Sequence, residues 1–474
     1  NAGRNPRELA TELTAVLEAN LPAHVNNVEI AGPGFVNFRL ADTWLHEVLA
    51  QVVVAGSENW ARHTTGADTK VIVEFVSANP TGPLHAGHGR GACYGDSVAR
   101  LYERCGHPVE REFYINDRGT QMAFYAASLA ARSAGQPVPE GGYQGQYIID
   151  WAAEMPADAD PFEWGYARAL ADHRAVLEDL NINFDTWFSE RSMIESGAID
   201  ATLADLADAS FEADGATWLR STNWGDDKDR VLVKSDGQYT YLLPDVAYHR
   251  DKFARADLLV NVWGADHHGY VPRMHAAMAA LGHQSVDLEV AITQMVNLQR
   301  DGVEVKLSKR TGEIVELAEV VAEVGADAAR FTYLLLTIDS PQTFDLELVA
   351  RQVNENPVFY VQYAHARIHS LVERAAQEGF NRLALTDADL SLLSHPRELA
   401  LLRALHELPD TVLRAANDQA PHQITTWVRD FAALFHGFYH DCRLTGEGID
   451  PATTVARLWL AEATRIGLVV ALDL

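Results

Sequence analysis

The run VIVEFV at 71–76 leads into the Pro- and Gly-rich turn SANPTGPL and then into HAGHGRGACYGDSVARLYERCG at 85–106. A short run of β-branched and aromatic residues bounded by turn signals reads as a strand buried on both faces. The residues after the turn keep apolar side chains at helical spacing from about 87 to 104, and VEREFYIND (109–117) supplies the next strand. Together these pieces make one parallel βαβ unit, the start of a doubly wound α/β sheet. Ligands of such sheets sit beyond the carboxyl ends of the strands. His85 and His88 stand in that position, three residues apart at a helix start.

The rest of the chain is compatible with that architecture. At 474 residues it is too long for one small core, and two to four domains are expected. No run of eighteen apolar residues occurs and no basic leader precedes an apolar stretch, so neither a membrane partner nor a secretory route is expected. Three cysteines (Cys93, Cys105 and Cys442) without C-x-x-C spacing argue against a disulfide scaffold or a structural zinc site and fit a reducing cytoplasm.

Three domains are expected. Residues 1–68 combine a polar helix (PRELATELTAVLEANL) with the strand-like VNFRL, a small α+β appendage. Residues 69–350 hold the sheet, with a Trp- and acid-rich helical insertion near 120–230. Sheet character returns at YTYLL (239–243), ADLLVNVWG (256–264) and LEVAITQMV (288–296). From about Glu316 the periodicity is helical almost to the end, so 351–474 is expected as an all-α bundle.

The net charge of −28 disfavours a nucleic-acid partner at face value. Only the contacting face has to be basic, however, so the charge predicts a local, salt-sensitive interface rather than none. Lysine usage is sharper. The chain has 6 Lys against 32 Arg, yet Lys306 and Lys309 fall in one pentapeptide, KLSKR (306–310). Arginine serves equally well on a solvated surface, whereas a site needing a compact ammonium resists the exchange.

Taken alone, His85 and His88 admit three readings: phosphate donors at a helix N-terminus, metal ligands completed by Asp266, His267 and His268, or ordinary helix-start histidines. No Walker A pattern occurs in the chain, so a nucleotide is held here by other means, if at all. Gly87, Gly89 and Gly91 suit close approach of a nucleotide. KLSKR, followed by Thr311 and Gly312, makes a cationic loop suited to charge that develops on a leaving pyrophosphate. Asp245, which follows YTYLL, and Tyr241 on the same element could receive a guanidinium, which needs paired acceptors and an aromatic face. A helix N-cap and a strand-end aromatic explain the same two residues without a ligand.

HAGH and KLSKR, with the second half of the sheet between them, resemble the His-Ile-Gly-His and Lys-Met-Ser-Lys-Ser motifs of class I aminoacyl-tRNA synthetases. Within that class, EFVSANPTGPLHAGHGRGA (74–92), FYINDRGTQM (113–122), YLLPDVAYH (241–249), GADHHGY (264–270) and NPVFYVQYAHAR (356–367) resemble arginyl-tRNA synthetases, and AGPGFVNFRL (31–40) is similar to the end of their N-terminal tRNA-contacting domain. The resemblance covers nearly the whole chain.

It implies a class I Rossmann-type catalytic domain, an anticodon-binding helical bundle, and arginine, ATP with Mg²⁺, and tRNA(Arg) as partners of a cytoplasmic monomer with no resident metal. The implied catalytic residues are His85, His88, Lys306 and Lys309. ATP is expected on His85, Gly87, His88, Gly264, Asp266, Lys306, Ser308 and Lys309. Arginine is expected on Ser77, Asn79, His88, Glu190, Tyr241, Asp245 and His267. His267 departs from the family, since some members carry a glutamine there; Glu74 is a supporting group or merely a polar strand end.

Members lacking the second lysine of the loop carry a lysine three residues before the first motif. Here that place is Gly82 and Lys309 is present, so the chain resembles the version that depends on its loop. The implied reaction is activation of arginine to arginyl-adenylate, dependent on bound tRNA, and transfer to the tRNA 3′ end. The rivals are another class I synthetase, an adenylyl transferase of the same fold, and a non-catalytic tRNA-binding paralogue.

Overall fold

In the computed structural model, residues 4–305, 315–353 and 355–474 are described. Five parallel strands form the catalytic sheet: β1 (Val71–Glu74), β2 (Val109–Ile115), β3 (Thr186–Ser189), β4 (Leu258–Gly264) and β5 (Leu288–Thr293), in the order β5-β4-β1-β2-β3. Starting from β1, the chain builds one half outward through β2 and β3, then returns to build the other through β4 and β5. This is the doubly wound order.

The alternation of side chains explains why β1 is apolar throughout. Val71, Val73 and Phe75 enter the core on one face of the sheet, and Ile72 enters the core on the other. β4 divides in the same way, with Val260 and Val262 on the first face and Leu259 on the second. The helix Ala86–Arg104 covers the first face. Its glycines are there partly for packing: a Cβ on Gly95 would lie 2.2 Å from the Phe75 ring, and one on Gly89 would lie 2.7 Å from the Tyr333 ring. Gly89 thus serves the core rather than a nucleotide.

Three expectations change. The stretch 120–230 is not a single insertion, because Thr186–Ser189 within it is the edge strand of the sheet, paired with Glu112–Ile115. A four-residue strand between acid-rich helices has too little pattern to declare itself, and it becomes a strand by pairing. The remainder is helical around a core of Met122, Tyr125, Leu129, Ile148 and Trp151, followed by an antiparallel meander of Ser210–Ala213, Ala216–Leu219 and Arg230–Val233.

YTYLL is not a strand either. Apart from an isolated bridge between Val233 and Tyr239, it opens the helix Leu242–Phe253. Pro244 sits within the first turn, where the amides have no intrahelical partner and proline is tolerated. LEVAITQMV, finally, splits into β5 and a second strand, Val296–Arg300, which pairs with Val303–Glu304 and with Gln342–Asp345 in a separate small sheet. Gln342–Asp345 also interrupts the helical run expected from Glu316.

The sheet belongs to a compact unit of residues 63–359 and 412–425. A second unit comprises 4–62, 360–411 and 426–473. There the helix Pro6–Ala19 and the hairpin Val25–Ala31/Phe35–Leu40 precede the helix Thr43–Asn59, which packs against the last helix, Pro451–Asp473. That last helix is buried almost all round, and a Cβ on its Gly467 would lie 2.6 Å from Leu405.

Candidate active site

β1 and β4 are neighbours, with Glu74 in register with Asn261, and the crossovers leave this pair in opposite directions. Such a switch point opens a crevice at the carboxyl edge. Two cavities occupy it, of about 620 Å³ and about 600 Å³. Val76, His88, Trp263, Gly264 and Asp266 line both, so these residues form the passage between them.

The larger cavity takes in Glu74, Ser77, Asn79, Tyr114, Asp245 and His267. Asp245 arrives from the first turn of Leu242–Phe253. This crossover helix runs back toward the start of β4, so its N-terminus lies at the carboxyl edge of the sheet. Its carboxylate accepts from the Tyr270 hydroxyl at 2.6 Å. Burial pushes the Asp245 carboxyl up to about 7 against that hydrogen bond, and the Glu190 and Glu74 carboxylates push it the same way. Burial also raises Glu190, which hydrogen-bonds to Tyr114 and lies 4.0 Å from Arg118. With its amide turned to donate, Asn116 reaches Glu190 at 3.0 Å. Glu190 therefore stands behind the cavity wall formed by Tyr114 and Asn116.

The turn after β1 is strained. Val76 and Ser77 have φ of 67° and 41°, a left-handed conformation that costs about 1–3 kcal/mol per non-glycine residue and is rarest for β-branched ones. It is held from three sides. The Ser77 hydroxyl donates to Glu74 at 2.9 Å and accepts from the Tyr114 amide at 3.1 Å, and Glu74 accepts from Lys252 at 2.7 Å. Asn79, exposed on the cavity rim, donates to Gln121 at 2.7 Å.

The smaller cavity is bounded by His85, Gly87, Gly91 and Thr293–Val296. His85 precedes the helix Ala86–Arg104, and its amide donates to His88 Nδ1 at 3.1 Å, with the two rings stacked at 3.7 Å. An Nδ1 that accepts a backbone proton leaves Nε2–H as the donor of a neutral ring. His88 is thus set as a hydrogen-bond donor. Ala86 donates to Val315 O at 2.9 Å and Leu317 to Leu84 O at 2.8 Å, so Val315–Leu317 is tied to the HAGH turn.

Lys306, Ser308 and Lys309 lie outside the described residues. Tyr241 is placed one helical turn before Asp245, 91% exposed and outside the lining of either cavity; the common strand expected for the pair is replaced by a common helix start. His267 lines the larger cavity 3.5 Å from Asp266. Among the described residues no three His, Cys, Asp or Glu side chains are grouped to hold a metal ion, and Asp266, His267 and His268 complete no such set with HAGH.

Sequence reasoning missed Tyr270, Tyr114, Gln121 and Tyr147. Tyr270, Tyr114 and Gln121 fall in quoted motifs and Tyr147 in none, and nothing in their spacing marks any of them as a lining residue. Thr293–Val296, from the end of β5 to the start of the strand that follows it, were likewise not singled out, yet they line the smaller cavity. Gly82 faces Tyr147: a Cβ there would lie 2.8 Å from the ring, so a lysine at this position would displace it.

Residues 1–40 match the arginyl tRNA synthetase N terminal domain, 49–140 and 166–370 the catalytic domain of class I (R) tRNA synthetases, and 361–474 the DALR anticodon binding domain. The chain belongs to the arginyl-tRNA synthetase family. It is 45% identical to an arginine–tRNA ligase of Oceanobacillus iheyensis, over 98% of this chain and 86% of that one. It is 46% identical to an arginine–tRNA ligase of Nitratidesulfovibrio vulgaris strain Hildenborough, over 92% and 83%. In fold it is similar to the solved Thermus thermophilus arginyl-tRNA synthetase, with a TM-score of 0.77 at 22% identity, covering 99% of this chain and 90% of the other.

Proposed function

We infer that the chain is an arginine–tRNA ligase whose larger cavity receives arginine and whose smaller cavity receives ATP. One observation carries the assignment of the two: the carboxylate- and tyrosine-lined cavity and the cavity at the HAGH helix start meet at His88, Gly264 and Asp266. A guanidinium seeks the carboxylate wall, phosphates seek the helix start, and the reacting carboxylate and α-phosphate then come together at the passage.

A carboxylate oxygen of arginine attacks the α-phosphorus of Mg²⁺–ATP, and the bond to the bridging oxygen breaks with its electron pair leaving on pyrophosphate. The terminal ribose hydroxyl of tRNA(Arg) then attacks the arginyl carbonyl carbon, releasing AMP. Positioning and charge neutralisation suffice for the first step, so no protein nucleophile is assigned. His85 and His88 serve the phosphates, with His88 donating at the passage; Asp245 takes the guanidinium with Glu190 behind the wall; and Ser77, Asn79 and His267 line the α-amino and carboxylate end. Lys306, Ser308 and Lys309 are assigned to the pyrophosphate, and Tyr241 to the guanidinium, on family resemblance.

The same reading assigns 1–68 to tRNA contact, 69–350 to catalysis and 351–474 to the anticodon. Within the helical unit, Arg367 lies 4.2 Å from the Tyr363 ring centroid and 4.8 Å from that of Tyr439, both partly exposed, a stacking surface suited to unpaired bases. The reading carries with it a cytoplasmic monomer, and the three free, buried cysteines suit the reducing compartment.

Arginine-dependent ATP–pyrophosphate exchange, with and without tRNA(Arg), tests it. Exchange only with tRNA present supports the full reading. Exchange driven by another amino acid would make the chain a different class I synthetase, and none in either condition would leave a tRNA-binding paralogue. In the same assay Lys309→Ala is expected to lower kcat by about 2–4 kcal/mol of barrier with little change in the KM for arginine, as for a donor used mainly in the transition state. An unchanged kcat removes Lys309 from the mechanism.

A further inference from the structure

Lys252 is one of only six lysines in a chain with 32 arginines, and its side chain is fully buried. It lies on the last turn of the helix Leu242–Phe253, whose first turn carries Asp245. Its ammonium donates to Glu74 Oε2 and to Asn261 Oδ1, each at 2.7 Å, and stands 4.4 Å from the Tyr248 ring centroid. Three donors therefore meet two oxygens and one ring face, a complement that suits an ammonium and leaves the larger five-donor guanidinium without partners.

The three anchors belong to three elements. Glu74 ends β1, Asn261 lies on β4, and Lys252 ties both to the helix. Asn261 continues the network to His249 Nε2 at 2.6 Å, and His249 Nδ1 reaches Asp245 O at 2.7 Å. Burial, with Lys252 nearby, holds His249 well below its ordinary pKa, so it is a neutral link that donates through Nδ1 and accepts through Nε2. On the other side Glu74 holds the Ser77 hydroxyl at the left-handed turn. Glu74 and His249 line the larger cavity, whereas Lys252 does not. The ammonium thus touches no substrate space but reaches both sides of it: Ser77 through Glu74, and Asp245 through Asn261 and His249.

We propose that Lys252 is a positioning residue of the amino-acid subsite, a buried strut that holds the strained Val76–Ser77 turn and the start of the Asp245 helix in register before arginine binds. Removing the ammonium leaves Glu74 as an uncompensated buried charge, free to release Ser77 and seek water. The turn then relaxes, and arginine must order it on binding. None of Lys252, Glu74, Ser77, Asn261, His249 and Asp245 lines the smaller cavity, which meets the turn only at Val76, so the consequence falls mainly on arginine rather than on ATP. The proposal rests on reading the larger cavity as the arginine subsite.

The test compares wild type, Lys252→Met, Glu74→Gln and the double variant in tRNA-supported ATP–pyrophosphate exchange. Lys252→Met is expected to raise the KM for arginine by about tenfold or more while the KM for ATP stays within about twofold. Adding Glu74→Gln to it removes the stranded charge, so the double variant is expected to lie within about threefold of Glu74→Gln alone. A generally structural role would instead move both KM values or lower only the active fraction. Where Lys252→Met is insoluble, Asn261→Ala loosens the same ammonium and is expected to raise the arginine KM selectively by about threefold. A soluble variant of either kind with wild-type arginine KM overturns the strut. Absence of arginine-dependent exchange in the wild type would overturn the subsite reading instead.

Discussion

Asp245 couples the electrostatics of the larger cavity to the arginine proposed to bind there. With its carboxyl pushed up to about 7, the folded protein retains a proton that an unfolded aspartate releases near 3.8. The folded state binds more protons across that interval, so the contribution is present below pH 3.8 and is lost as the pH rises to about 7. A guanidinium needs the ionised form. Arginine binding is therefore expected to release a proton below pH 7, and the arginine KM to fall by up to about tenfold per unit as the pH rises toward 7 before levelling off. Calorimetry at pH 6.5 in buffers of differing ionisation enthalpy reads that proton; observed heats of binding that are the same in every buffer would contradict it. Asp245→Asn is expected to abolish arginine binding measurable by titration, and normal affinity would remove Asp245 from the pocket. A carboxylate here was legible from the sequence, because the proposed arginine subsite calls for one. The proton was not, since it depends on burial and on the Glu190 and Glu74 carboxylates arriving from other elements, against the Tyr270 hydrogen bond.

Among the elements, the legible ones were those whose burial is complete along a continuous stretch. β1 and the helix after HAGH carry their pattern in their own residues. Thr186–Ser189 and YTYLL do not: the first is a strand only by pairing with β2, and the second mixes β-favouring residues with a proline that a first helical turn accommodates. The glycines show the same limit. Three of them near HAGH suggest a nucleotide, but Gly95, further along the helix, is as strictly required by its contact with Phe75. Gly95→Ala is expected to destabilise the protein by about 1–3 kcal/mol through overpacking, lowering the melting temperature. Phe75→Leu in the same chain should recover part of that loss. An unchanged melting temperature for Gly95→Ala would mean that helix and strand are not packed as described.

Over the whole molecule the net charge of −28 has to be reconciled with a polyanionic substrate. A locally basic face on an acidic chain predicts that the KM for tRNA rises steeply with salt while the arginine KM, set by a buried pocket, changes little. Kinetics between low and physiological salt separate the two, and parallel responses would argue against a local electrostatic face. HAGH, KLSKR and the strand–turn–helix unit are properties of contiguous residues, so the chain alone identifies its family and its chemistry. The order of the sheet, the meeting of two cavities at His88, the return of the chain beside HAGH through Val315–Leu317, and the buried Lys252 strut all arise between residues far apart in sequence. Local pattern records a residue's burial and its neighbours along the chain. Which strands lie side by side, and which charges face one another across the gap, depends on packing, and the catalytic geometry is built from that.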